Sequence, residues 1–450
     1  VTHPSEAGRD PARAVDVCGA LSCGAWVWLA AASRGPLAVP LPTFFAVLAV
    51  AWAALLAAFV LVGRCGGRIS RRRVLVWALT FRLIGLAGEP VLEDDHFRYL
   101  WDGRATATTG NPYATAPIDH FEDDGLPDAF QAVLDGINHP DVPTVYGPVC
   151  QVLFAVGYAL APAELLPIKV LLVALDLLAL WLLFGLTPPG RALLYAWCPL
   201  LVIETAFTGH VDAAGVALLV AALYASTRSR DGLAGALLAT AVAVKPLALL
   251  AAPFLLWRGG RAGWISAGAT ALALHLPFAL AGGGAGAIGL GVFLGHWEFN
   301  STGFAAAAAL AGPRAARLIC ALVFLVFYAA FTARFLRSAP PRSLPRLDLV
   351  FGVFFLLSPV ANPWYLLWML PFVALTPSAW GVAALAVVSL SYVHGLYLPG
   401  AGLPPYHHPH WVRPLEVAVV AAAALWPRVI PPVRLRSPSA RCARPTGACG

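Results

Sequence analysis

Charge is scarce in this sequence. Asp, Glu, Lys and Arg together make up 12% of its 450 residues, while 59% are hydrophobic and the mean hydropathy is +0.75. A soluble domain carries about twice that charge, and helices buried in one would still show polar outer faces. Most apolar runs here show none, and many reach the roughly 18 residues that cross about 30 Å of hydrocarbon. That excludes a soluble globular protein. Nucleotide signatures are missing as well. There is no Walker lysine loop, no Gly-rich dinucleotide fingerprint and no nucleophile elbow, so nucleotide hydrolysis and Rossmann-type nucleotide-sugar binding have no support. The eight cysteines, at 18, 23, 65, 150, 198, 320, 442 and 449, follow no metal-ligand spacing. Several lie in apolar runs, where cysteine acts as a small buried hydrophobe. No internal repeat stands out. The formal charge of +7 comes from Arg in short loops and the tail, which is the positive-inside bias and not a nucleic-acid surface.

What is present is a succession of apolar blocks, from 15–34 and 40–63 through 379–397 to 412–427. The first follows a polar start and lacks a convincing cleavage site, so it is expected to persist as a helix. Gly and Pro punctuate the blocks, which a bundle in lipid tolerates where neighbours satisfy the freed backbone groups. The expected fold is an all-α polytopic membrane protein of about eleven to thirteen membrane segments. It forms one domain over 1–427, with a disordered basic cytoplasmic tail over 428–450.

Arginine sets the expected orientation. Five Arg fall between Arg64 and Arg73; with Arg228, Arg230, Arg258, Arg261, the stretch from Arg334 to Arg346 and the tail, they mark the cytoplasmic side. Residues 93–147 then lie outside. So do the Gly209-His210-Val211-Asp212 turn, the 283–300 loop, Asn362-Pro363-Trp364 and the 398–411 loop. Two blocks break this parity as full spans. Block 148–163 is short and is expected to insert halfway. Block 232–256 joins two basic loops and is divided at Lys245-Pro246, where Pro removes a donor, so it is expected as two half-helices.

The polar segment after the third block holds eleven of the 23 carboxylates, from Glu93 to Asp141. It opens with Glu93-Asp94-Asp95-His96-Phe97-Arg98-Tyr99-Leu100-Trp101-Asp102-Gly103-Arg104. Asp94 and Asp95 sit at the edge of a span, where burial and like charge raise carboxyl pKa values toward those of a general base. Either could also hold a divalent cation such as Mg or Mn, because oxygen ligands suit hard ions; no other cofactor is indicated. Arg98 follows Asp94 by four, so on a short helix the two share a face, which favours Asp94 over Asp95 as the base. With Tyr99, Trp101, Asp102 and Arg104, this arrangement suits a phosphorylated sugar: Arg grips phosphate and aromatic faces pack on sugar or isoprenoid. Leu126 to Ile137 reads as an amphipathic helix on the membrane surface.

Farther along, His210, Asp212 and Lys245 are ionisable groups at membrane depth or its edge, costly there and usually functional. Glu204 precedes His210 by six. Lys245 needs a partner: a lipid phosphate, Asp176 or Glu204. Trp297, Glu298 and Asn300 end an outer loop, and Asn362, Trp364 and Tyr365 interrupt two apolar blocks. All are candidate substrate contacts, as are Tyr113, His139 and Tyr146. The group His394, Tyr406, His407, His408, His410 and Trp411 has the composition of a metal site but the setting of a loop.

In their order along residues 74 to 400 these motifs resemble the polytopic GT-C glycosyltransferases that use polyprenyl-phosphate sugars. The nearest likeness is to bacterial mannosyltransferases of the glycosyltransferase 87 and alpha-1,6-mannosyltransferase type. The resemblance rests on Asp94-Asp95, Arg98 to Gly103, Gly110-Asn111-Pro112-Tyr113, Asn138-His139-Pro140 and Thr144 to Pro148. It continues through Gly209 to Asp212, Lys245-Pro246, Trp297 to Asn300 and Asn362 to Tyr365. It implies a GT-C bundle with a structured first extracytoplasmic loop whose carboxylate, Asp94 or Asp95, is the base. It further implies an inverting transfer of a hexose, mannose first, from a polyprenyl phosphate to a lipid-linked glycan or glycolipid. The competing class is a secondary transporter or flippase, which would place paired charges on broken helices in two related halves.

Overall fold

The computed structural model describes residues 11–35, 38–282, 291, 295–340 and 343–426. The basic tail from 428 and most of the 283–300 loop lie outside them. Proline fixes where many helices start, because the first helical N–H has no partner within the helix in any case. The chain opens with α1 (Pro11–Ser33), α2 (Leu41–Arg64) and α3 (Arg71–Leu86). The polar segment supplies α4 (Asp95–Thr109) and α5 (Asp128–Asp135). Then come α6 (Pro148–Leu160), α7 (Leu166–Leu183), α8 (Pro189–Ala196) and α9 (Pro199–Val202), the last running into a π-turn at Ile203–Phe207. α10 (Asp212–Thr227), α11 (Asp231–Val242) and α12 (Ala252–Leu280, broken at Gly260) follow. The remainder is α13 (Gly303–Ala311), α14 (Pro313–Ser338), α15 (Leu347–Leu357), α16 (Leu370–Leu375), α17 (Ala379–Val387) and α18 (Val412–Leu425).

This is an all-helical polytopic membrane protein. Among the described residues five helices are long and apolar enough to cross a membrane, and α8 with the segment Pro199–Phe207, bent by 51°, makes a sixth if the pair is one span. Shorter apolar helices of 10–17 residues, α6, α10, α11 and α15 among them, stand beside these spans. Ile265, Leu280, Leu310 and Val326 stand 70–91% exposed on the outer surface. In water that would be an apolar patch far beyond what a soluble monomer shows.

Side-chain contacts mark the two ends of the bundle. Arg71 donates to the carbonyl of Phe184 at 3.1 Å, and Arg191 to that of Leu375 at 3.2 Å. These mark a basic end. At the opposite, acidic end Lys169 donates to the Gly88 carbonyl at 2.7 Å and Asn111 to that of Ala281 at 2.7 Å. Thus α3 and α7 run antiparallel over the same height. A buried pair, Arg82 Nε to Asp176 Oδ2 at 2.7 Å, fastens them midway.

The two troublesome blocks resolve in this frame. α7 starts at the acidic end five residues after α6 stops, and α6 itself starts there, beside Tyr146. The 13 residues of α6, about 20 Å long at 1.5 Å per residue, therefore begin and end on one side. Block 232–256 is a hairpin: α11 rises, the chain turns at Val244-Lys245, and a 3₁₀ turn at Pro246–Ala251 starts the return. Its tip locks onto α6, with Val149 N–H donating to the Ala243 carbonyl at 3.3 Å.

The amphipathic segment differs from expectation in what it covers. Its helix is α5, and Phe130, Val133 and Leu134 are buried in a small core with Tyr99, Leu100, Trp101 and Phe154. Its apolar face is thus used up by α4 and α6, not by lipid.

Candidate active site

Leu92 turns the chain into the acidic stretch with a left-handed φ of 57°, a conformation that costs a non-glycine residue about 1–2 kcal/mol. Asp94 then serves as N-cap residue, and α4 begins at Asp95, whose charge suits the positive helix N-terminus. Gly110, φ 72°, closes the helix in the left-handed cap that glycine favours. Because Asp94 precedes the helix, it does not share a helical face with Arg98. The Arg98 guanidinium instead donates to the carbonyls of His139 at 3.1 Å and Val142 at 2.7 Å. It ties down the loop 138–142.

Glu93, Asp94 and Asp95 are half-buried and each brings one oxygen within 4.8 Å of the others. That spacing could hold one hard divalent cation. Burial first, and then the charge of Asp95, push the Asp94 carboxyl up to about 6; Asn138 hydrogen-bonds it and offsets part of the rise. Glu93 is raised well above the usual carboxylate range by burial and the same neighbours. Burial lowers His96 to about 4, so it is neutral beside them. Asn138 also donates to the Tyr406 hydroxyl at 2.7 Å, which brings the 398–411 loop over the acidic trio.

Asp95 is the best placed of the three. The Tyr146 hydroxyl donates to its Oδ2 at 3.1 Å, and His210 Nε2 stands 3.8 Å from the same oxygen. His210 is held from three sides. Its Nδ1 lies 2.8 Å from Glu204 Oε2 and 3.1 Å from the Thr208 hydroxyl, and its ring stacks on Trp364 at 3.9 Å and 12°. Glu204 is fully buried and accepts from the Tyr392 hydroxyl at 2.8 Å. With Nδ1 directed at Glu204, Nε2 faces Asp95, and this buried nitrogen has no hydrogen-bond partner among the described residues. A carboxylate, an imidazole and a second carboxylate in line can pass a proton away from substrate. Glu204 and Tyr392 are the residues sequence reasoning underused. Glu204 was visible as a neighbour of His210 and as a candidate partner of Lys245, and nothing local marks Tyr392.

The other predicted residues fall into two groups. Tyr99 and Asp102, at i+4 and i+7, share the face of α4 that carries Asp95, and Tyr99 meets the Tyr146 ring edge to face at 5.2 Å, whereas Trp101 and Arg104 lie off that face. Tyr99 stacks on Phe154 at 4.7 Å, and the Arg104 guanidinium lies 5.4 Å from the Phe130 ring. Asp102, buried and therefore raised, accepts from Thr144 and from Gln151 at 3.2 Å. Tyr113 donates to the Tyr146 carbonyl at 2.8 Å and supports the loop that aims Tyr146.

The second group meets at the site from distant parts of the chain. Phe299 N–H donates to the Pro359 carbonyl and Ala361 N–H to that of Phe299, both at 2.9 Å. These bonds zip the Trp297 to Asn300 motif to the Asn362 to Tyr365 motif. Trp297 meets His139 edge to face at 4.6 Å. Asn300 donates to Glu416 at 3.3 Å, and Glu298 accepts from Ser301 at 2.7 Å. Lys245 does not pair with Asp176 or Glu204. Its ammonium contacts both oxygens of Asp212, at 2.9 and 2.8 Å, and sits 4.0 Å over the Tyr365 ring, while Trp368 donates to Asp212 at 2.6 Å. The histidine group forms no metal cluster: among the described residues only the acidic trio has the spacing. His394 stacks on Tyr406 at 5.4 Å, and His408 reaches the Ser391 carbonyl at 3.0 Å.

An all-helical membrane bundle with a carboxylate and histidine site at one end defines a polytopic membrane protein built for chemistry at a surface. The chain belongs to the alpha-(1->6)-mannopyranosyltransferase family: that family's N-terminal domain matches residues 14–261, and the MptB C-terminal domain matches residues 288–427. It is thus a membrane mannosyltransferase. No curated protein and no solved structure matches the chain.

Proposed function

We propose that the protein transfers mannose, with inversion, from a polyprenyl-phosphate donor to a hydroxyl of a lipid-linked glycan or glycolipid outside the cytoplasm. The observation that carries this reading is the half-exposed Asp95 carboxylate, steadied by Tyr146 and backed by His210 and Glu204. In the scheme Asp95 takes the acceptor hydroxyl proton as the oxygen attacks the anomeric carbon. The bond from that carbon to the phosphate oxygen breaks on the opposite face, and its electrons leave with the polyprenyl phosphate. One displacement through an oxocarbenium-like state inverts the centre, as in single-step glycosidases. The proton then passes to His210 Nε2, where Glu204 stabilises the imidazolium.

The leaving group is already a stable anion, so it needs a positive field and no acid. Lys169 cannot supply one, since its ammonium is spent on the carbonyls of Gly85 and Gly88. Lys245, shared with Asp212, remains, together with the N–H groups of Arg98 that the His139 and Val142 carbonyls leave free. Asp94 tunes Asp95 and completes the trio that a divalent cation would use.

Purified protein offered radiolabelled polyprenyl-phosphate mannose and an acceptor lipid should release free polyprenyl phosphate as mannose moves. Transfer from a nucleotide sugar with no lipid-linked intermediate would sink the proposal. Loss of transfer on chelation, with recovery on adding Mg or Mn, would assign a cation to the trio; transfer unaffected by chelator assigns the trio to proton chemistry alone.

A further inference from the structure

At the basic end α3 begins and α7 and α10 end around a cavity of about 340 Å³. Arg71, Trp181, Phe184, Gly185, Tyr224 and Arg228 line it, and no carboxylate does. Two of the arginines near this end are held in ion pairs. Arg73 meets Asp16 at 3.1 Å, and Arg346 meets Asp348 at 2.6 Å. Arg71 and Arg228, like Arg64, Arg68 and Arg72, form no ion pair among the described residues, and these two are the ones that line the cavity. Arg71 gives one N–H to the Phe184 carbonyl, which anchors the guanidinium and leaves its other donors uncommitted. Arg228 lies with its guanidinium 4.8 Å from the Tyr224 ring centroid, a contact with an aromatic face that uses none of its N–H groups. Two forks held by different helices thus converge on one polar cavity. Trp181, 61% exposed, and Leu178, 46% exposed, continue from it along the outer surface of α7.

We propose that this cavity binds the headgroup of an anionic phospholipid. Guanidinium forks match phosphate oxygens in bidentate geometry, and basic pockets between helix ends suit anionic headgroups in that leaflet. Trp181 sits where an indole anchors at the headgroup level. The apolar face of α7 below it provides for the acyl chains, which is why the ligand is a lipid and not free phosphate. The site lies at the opposite end from Asp95 and does not depend on the mannosyl-transfer chemistry.

Native mass spectrometry of the full-length protein, extracted in mild detergent and titrated with an anionic phospholipid or with phosphatidylcholine, tests this. Wild type should retain the anionic lipid and little phosphatidylcholine. R228Q should weaken retention about fivefold, the worth of one basic residue at such a surface, and R71Q with R228Q should lose it further. R72Q removes an exposed arginine of the same run that does not line the cavity, and it should behave as wild type. R228Q alone keeps the test decisive if the double variant fails to fold, because Arg228 holds no ion pair. Equal retention by wild type and R228Q, equal binding of phosphatidylcholine, or full displacement by millimolar inorganic phosphate would each overturn the assignment.

Discussion

Asp94 and Asp95 are neighbours in the chain, yet the fold gives them different work. Asp95 has the hydroxyl of Tyr146 and the imidazole of His210; Asp94 has burial and the charge of Asp95, which hold its proton up to about pH 6. Asp94 therefore gains a proton as pH drops through about 6, the negative charge that sharpens Asp95 as a base is lost there, and kcat should fall through that value. Asp95→Asn should cost about 10² to 10⁴ in kcat, as expected for a lost base, with the donor Kd nearly unchanged. Asp94→Asn should be milder. It removes the group that titrates near pH 6, so the acid limb of the kcat profile at that pH should disappear. Glu204→Gln should lower kcat about tenfold, since an imidazolium formed at His210 would lose its counter-charge. Should Asp95→Asn keep more than about a tenth of wild-type kcat, Asp95 is not the base.

The hairpin of α11 and the Pro246 turn has one purpose legible in its contacts, to bring Lys245 to Asp212. Breaking a buried pair from one side typically costs 3–5 kcal/mol. Lys245 is 17% exposed, so Lys245→Met should cost about 3 kcal/mol, toward the low end of that range. Thermal unfolding in detergent should show Lys245→Met well below wild type and Lys245→Met with Asp212→Asn between the two, because the double change leaves no charge stranded. A double variant less stable than the single one would mean the pair does not lock the hairpin. This element also shows what the sequence could and could not disclose. The break at Lys245-Pro246 is local, a matter of proline chemistry, and it was readable. The partner was not, because Asp212 lies 33 residues back and no periodicity connects them. The same holds for Glu204 and Tyr392, 188 residues apart. Arg98 misled for a related reason: a spacing of four implies a shared face only if both residues are in the helix, and Asp94 stops one short. Apolar blocks, turn residues and the order of motifs are written locally; which motif touches which depends on the packing of the whole bundle.

Across the whole molecule the charges are sorted by height. Five Arg from Arg64 to Arg73 gather at the end where Arg191 caps the α16 carbonyls, and the acidic trio with most of the α4 to α6 segment gathers at the other. Positive loops stay in the cytoplasm because translocating Lys and Arg is disfavoured, whereas acidic loops are carried across with little bias. The sorting therefore predicts a direction: the site faces outward, and the lipid cavity at Arg71 and Arg228 faces the anionic cytoplasmic leaflet. Single cysteines in an otherwise cysteine-free protein read this out. Glu122 and Arg230 are both exposed and lie at opposite ends, so Glu122→Cys and Arg230→Cys are reporters that leave the site and the cavity intact. A membrane-impermeant maleimide applied to whole cells should modify the first and not the second, and permeabilised cells should modify both. Labelling of residue 230 alone in whole cells would invert the molecule. It would place Asp95 in the cytoplasm, where a donor carried outward on a polyprenyl chain could not meet it, and the proposed reaction would fail on topology before any kinetic test.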